Sequence, residues 1–409
     1  FIVLPFSEEQ SKMLHYCLIL GFISSVVAQS DTCPRIIDKE KLRDHLTNLF
    51  NQPRSETDVS QRVLLMQALA AEASALTPVS IAPRISSNVQ SLPGSTGQNF
   101  FYIIKGDRYN TTDDRPILVG ANLDTVALSP GVNDNGSGMA ASIEIIRALV
   151  NALANQTCTF LNTVVGVAFD NKNMDLEGSA TWVDAQLTTY LEPLGITDFQ
   201  GAFILDVMMN FNSTPNSQDV PAVALALFPT EGMMIADNDN RGDFMMTYAR
   251  QDDVLLAALL KQEWYGMVGG DFATTDKYRF VDINLPFTGT AQTLTPTQVA
   301  QYGTFIRGDH ISFWNVSSPV APNGLKAIHV TDTADLRGVM RQCFQQPCDD
   351  TSIITEENLD FLNIAADAVL RAVVILATEN NDSQCIEPDV NSLIYHCRTE
   401  TAQMEEFVC

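Results

Sequence analysis

The sequence predicts an α/β fold, a single domain on a mixed, mostly parallel central sheet covered by helices on both faces. Three observations carry that prediction. Segments rich in β-branched residues alternate with helix-period segments through most of the chain. Polar residues cluster where the strand-like runs end, which is where such sheets hold their sites. The chain has 409 residues, 45% of them hydrophobic, enough for one large core.

The elements follow in order. Residues 1–12 precede the first methionine and read as upstream reading frame. Residues 13–28 read as a signal peptide, because an apolar core of about thirteen residues ends at Val26-Val27-Ala28, with small side chains at the −3 and −1 positions of a cleavage site. That core is too short to span a bilayer comfortably, so a secreted, extracellular protein without a stable membrane span is expected, with an uncleaved signal anchor as the alternative. The folded domain is expected over 33–380 and a cysteine-containing tail over 381–409.

Within the domain, Ile36 to about Leu76 reads as helices, with apolar positions at Leu42, Leu46 and Leu49 and then at Val63, Leu64, Met66 and Leu69. NFFYIIKG and PILVGANL read as strands joined by a polar turn around Thr111 to Asp114. A turn at 133–138 leads into a helix phased by Met139, Ile143, Ile146 and Leu149. The strand NTVVGVAFD, a helix near 179–190 and the strand GAFILDVMM come next. Residues 215–300 are less regular and read as loops and strands flanking a crevice, around the helix DDVLLAALLKQEW. Residues 359–379 read as a long helix that closes the fold; Asp360, Asp367 and Arg371 make it a core helix rather than a membrane span.

The net charge of −25 excludes nucleic-acid binding, which needs a Lys/Arg footprint, and simple adhesion to anionic membranes. Removing Cys17 with the leader leaves an odd number of the eight cysteines. An oxidising compartment then implies disulfides and one thiol that is unpaired or intermolecular. Cys343 and Cys348 enclose a short Pro-containing loop and are the first candidate pair. Sequons at Asn110, Asn155, Asn212, Asn315 and Asn381 fit a secreted glycoprotein. Arg241-Gly242-Asp243 is read as structural rather than integrin-binding, and His45, His329 and His396 as ordinary histidines. Asn135 heads a further sequon, but its place in the crevice loop argues against a glycan there.

The stretch PILVGANLDTVALSPGVNDNGSG, 116–138, resembles the metal-site segment of the M28 zinc aminopeptidases, in which a strand ends in His-x-Asp and a later loop carries Asn-Asp-Asn. With ILDVMM, RGDHISFW, Gly178-Ser179 and Arg241-Gly242-Asp243-Phe244, the resemblance runs from about residue 36 to 380. It implies an aminopeptidase-like domain. It also implies that Asp134 matches the bridging aspartate, Asp206 a ligand of the first metal and His310 a ligand of the second. Asp124 matches the aspartate that orients the ligating imidazole.

Three positions depart from the pattern. Asn122 stands where the family has a histidine ligand, Lys172 at the general-base glutamate, and Asn173 at a glutamate ligand. Catalytic zinc has three strong protein ligands, and each half of this centre keeps two. A lysine ammonium cannot act as the base at neutral pH and would neutralise Asp134 and Asp206 as a metal does. The expectation is therefore a metal-free, salt-bridged remnant in a pseudoenzyme that works by binding or assembly through an unknown protein or peptide partner, with homo-oligomers or an intermolecular disulfide left open. No cofactor is expected. Zinc enters only if the site is rebuilt, giving an active aminopeptidase with Asp170 or Asp175 as substitute base. Calcium on Asp134, Asp206, Asn122 and Asn173 is a minor alternative, opposed by Lys172 and His310. An acidic extracellular-matrix or calcium-associated protein is the remaining reading.

Overall fold

A computed structural model describes residues 35–155, 158–289 and 294–379. The expected leader, Cys33, Cys385, Cys397, Cys409, Asn381, His396 and the expected tail lie outside the described residues.

The centre of the fold is one eight-stranded sheet in the order β1-β2-β4-β3-β5-β8-β6-β7. Its strands are β1 (Ile85–Ser91), β2 (Gln98–Ile104), β3 (Ile117–Asn122), β4 (Val164–Phe169), β5 (Gly201–Leu205), β6 (Phe244–Arg250), β7 (Arg279–Leu285) and β8 (Ala327–Thr331). Four of the seven pairings are parallel and three antiparallel. The two strands expected on either side of the Thr111–Asp114 turn both form, but β4 inserts between them.

Strand alternation divides the core in two. Ile117, Val119 and Ala121 of β3 face a cluster closed by the helices Gly138–Ala154, Val254–Val268 and Glu356–Thr378. Leu118 faces the opposite cluster, which includes Trp182, Leu187 and Leu191 from the helical run at 177–194 and Phe313 and Trp314 from the helix His310–Trp314. Both faces are therefore covered, as the parallel pairing requires.

Two helical spans, 132–154 and 356–378, are long and apolar enough to cross a membrane, but 67% and 89% of their most apolar windows are buried inside the protein. Within the second, Asp367 and Arg371 are core groups, whereas Asp360 is half-buried and pairs with Arg35 and Lys39. Asp367 is fully buried, and its carboxylate accepts the amides of Ile36 and Ile37 at 2.9 to 3.2 Å. Thr355 caps this helix through the Asn358 amide.

Sequence reading missed β1 and β8. β1 is a polar edge strand, and β8 is five residues long with a histidine at its middle. The irregular region 215–300, expected to flank the crevice, contributes β6 and β7 to the main sheet, and Tyr248 of β6 lines the crevice. β4, β3, β5 and β8 are consecutive parallel neighbours, so their carboxyl ends open onto one edge, with chain crossovers running both ways from β3.

Candidate functional site

At that edge lies a cavity of about 290 Å³ lined by Asn122, Asp134, Lys172, Asp206, His310 and His329, with Tyr248, Arg307, Phe344 and Gln345 on its walls. Asn122 ends β3, Lys172 follows β4, Asp206 follows β5, and His310 begins its own short helix. Asp134, Asp206 and His310, with the three departures Asn122, Lys172 and Asn173, thus border one crevice, while Asp124 lies behind it.

Lys172 Nζ donates to Asp206 Oδ2 at 2.5 Å and to Asn122 Oδ1 at 3.3 Å. Burial alone would lower the Lys172 pKa, but the carboxylates of Asp206, Asp134 and Asp309 outweigh it and hold the ammonium above its ordinary range. Burial would likewise raise Asp206, yet Lys172 and His329 keep its carboxyl below the usual value. Asp134 goes the other way. Burial, reinforced by Asp206, Asp349 and Asp124, pushes it up to about 7 against the pull of Lys172.

Asn122 is fully engaged, its Nδ2 donating to the Asp124 carbonyl while Oδ1 accepts from Asn135 Nδ2 and from Lys172. Asp124 does not orient a neighbouring ring. Its two oxygens accept the backbone amides of Lys172 and Asn173 and the Asn173 side chain, fixing the loop after β4. Behind the crevice, fully buried Arg54 donates to the carbonyls of Phe50, Gln52, Leu123, Pro130 and Gly131, pinning the loop between Asp124 and Asp134. The Asp134–Asn135 peptide is cis.

The structure adds His329, which sequence reading set aside as an ordinary histidine. Its Nε2 lies 3.7 Å from Asp206 Oδ2, its ring stacks on Tyr248, and its centroid is 4.8 Å from that of His310. A signal existed, since His329 is the polar residue between Ile328 and Val330 in an apolar run. Burial lowers His329 to about 4 and His310 well below its ordinary value, so both rings are neutral. His310 Nε2 faces the Phe305 carbonyl at 3.0 Å, while Asp206 Oδ1, His310 Nδ1 and His329 Nδ1 are buried without a partner among the described residues.

As they stand, these residues do not fit the two-metal centre that the resemblance implies. A lysine ammonium takes Asp206 Oδ2 and Asn122 Oδ1 and puts its own charge where a cation would sit, and Asn173 is turned to Asp124. Among the described residues, no group of three or more His, Cys, Asp or Glu is arranged to hold a metal ion. Neither candidate substitute base lines the cavity. Asp170 is buried against Arg62 and the Gln98 amide, and Asp175 is exposed.

Cys343 and Cys348 are disulfide-bonded, with a Cα–Cα distance of 5.1 Å. Asp243 of the Arg-Gly-Asp run is buried against Arg279, which leaves it out of reach of an integrin. Asn110 and Asn155 are exposed, Asn212 and Asn315 half-buried, and Asn135 is fully buried.

Residues 102–298 match the family model described as Peptidase family M28. Aminopeptidase YwaD of Bacillus subtilis is 31% identical over 96 residues, a match spanning 24% of this chain but only 19% of that protein's length. The LapA aminopeptidase of Legionella pneumophila superposes with a TM-score of 0.56 at 14% identity, covering 84% of this chain and 72% of LapA. LapB of the same organism gives 0.51 at 14% identity, covering 83% and 72%. At these identities the superpositions speak to the fold alone.

Proposed function

We propose, from the match of residues 102–298 to the Peptidase family M28 model, that the chain is a secreted, M28-peptidase-like glycoprotein without hydrolytic activity, acting by binding or assembly. One observation carries the reading. The ammonium of Lys172 sits 2.5 Å from Asp206, at the position where the family has its general base. A protonated lysine cannot take a proton from water, and general-base catalysis alone is worth about 10²- to 10⁴-fold. The other substitutions point the same way, since the Asn122 amide is a weak ligand and Asn173 lacks the carboxylate of the family's second metal site. The leader-like segment and the exposed sequons at Asn110 and Asn155 support secretion and glycosylation.

The test is the zinc content of the mature protein, purified without chelators and measured by elemental mass spectrometry beside an aminopeptidase assay. Zinc near zero together with no turnover is the expected result. One or two zinc per chain with turnover would overturn the proposal and point to a rebuilt site that uses His329.

A further inference from the structure

The loop closed by Cys343 and Cys348 is part of the crevice, although nothing in the hydrolytic chemistry requires it. Phe344 and Gln345, inside the disulfide ring, line the cavity. Asp349 follows Cys348 directly, is fully buried, and receives three consecutive amides from the opposite wall. The Val132 amide donates to the Asp349 carbonyl at 3.1 Å, the Asn133 amide to Oδ1 at 2.7 Å and the Asp134 amide to Oδ2 at 2.9 Å. One residue adjoining the disulfide therefore fixes the backbone that presents Asp134.

The two sulfurs differ in access. Cys343 is 5% exposed, whereas Cys348 lies in an exposed stretch with Gln345, Gln346 and Pro347. A thiolate can reach Cys348 Sγ without prior unfolding. Cys158, which is also disulfide-bonded, is 3% exposed and protected by comparison.

We propose that the Cys343–Cys348 disulfide is a redox-sensitive latch on the crevice, and that its reduction by a dithiol releases the Asp349 clamp and loosens the segment 132–137 that carries Asp134. In the reaction a thiolate of the dithiol attacks Cys348 Sγ. The protein S–S bond breaks, and Cys343 leaves as a thiolate that takes up a proton. The reagent's second thiol then displaces Cys348 from the mixed disulfide, closing the reagent's own disulfide as two electrons pass to the protein.

The latch is independent of whether the protein hydrolyses anything, so its test uses backbone exchange. The mature protein is treated with dithiothreitol and then alkylated. Mass spectrometry identifies the modified cysteines, and amide hydrogen exchange is followed with and without reduction. Alkylation at Cys343 and Cys348 should come first, with exchange in 132–137 and 343–350 faster by about tenfold or more while β3, β4 and β5 stay protected. Unchanged exchange in 132–137 with both cysteines alkylated would overturn the latch, as would acceleration throughout the sheet, which marks general unfolding. The C343S/C348S double variant should show the fast exchange without reductant. Should that variant not fold, Asp349→Asn keeps the disulfide yet turns an amide donor toward the Asn133 or Asp134 N–H. It should accelerate 132–134 alone, and normal protection there would equally refute the clamp.

Discussion

Lys172 and Asp206 form the shortest charged contact in the crevice, 2.5 Å between Nζ and Oδ2, with the lysine side chain 17% and the aspartate 11% exposed. The strands that supply them, β4 and β5, lie on either side of β3. The pair therefore spans the point from which the chain crosses both ways.

Breaking that pair leaves a buried carboxylate without its cation. Lys172→Met is expected to lower stability at neutral pH by roughly 3 kcal/mol, read from denaturant unfolding. A midpoint equal to or above that of the unmodified protein would mean that Asp206 does not depend on the lysine.

Restoring the family residues tests the assignment of positions. The combined change Asn122→His, Lys172→Glu and Asn173→Glu should bring zinc binding, measured by titration calorimetry and elemental analysis. A folded triple variant that ignores zinc would show that the positions have been matched wrongly.

Gly308 packs under the two imidazoles. A Cβ there would lie 2.9 Å from His329 Nδ1 and 3.0 Å from His310 Nδ1. Gly308→Ala should cost about 1–3 kcal/mol and shift the ring resonances of both histidines in NMR spectra. Unmoved resonances would show that the rings have room to spare.

His329 gives stability a pH dependence of defined sign. Its folded pKa, about 4, lies below the ordinary 6.5, so the neutral ring's contribution is complete above pH 6.5 and is lost as pH falls toward 4. The native protein should lose roughly 2–3 kcal/mol from this group between pH 7.5 and 4.5. His329→Gln lacks that loss, so its stability relative to the native protein should improve over the same interval. A constant difference between the two across that range would contradict the buried, neutral ring.

Strand and helix periodicity are local properties of the chain, so the α/β class, the long closing helix and the residues at the ends of β3, β4 and β5 are legible in the sequence. It also marked Asn122, Lys172 and Asn173 as departures, since residue identity needs no coordinates. What those residues touch follows from the packing of distant segments. The apolar run around His329 is a signal of burial, but its place in the site is not legible, because its partners Asp206, His310 and Tyr248 come from other parts of the chain. Asp124 was legible as a site residue, but its hold on the 172–173 amides depends on β3 and β4 being parallel neighbours. The Asp349 clamp joins residues more than 200 positions apart. Such contacts depend on how helices and strands pack across the sheet, and the periodicity of a single chain carries no record of that.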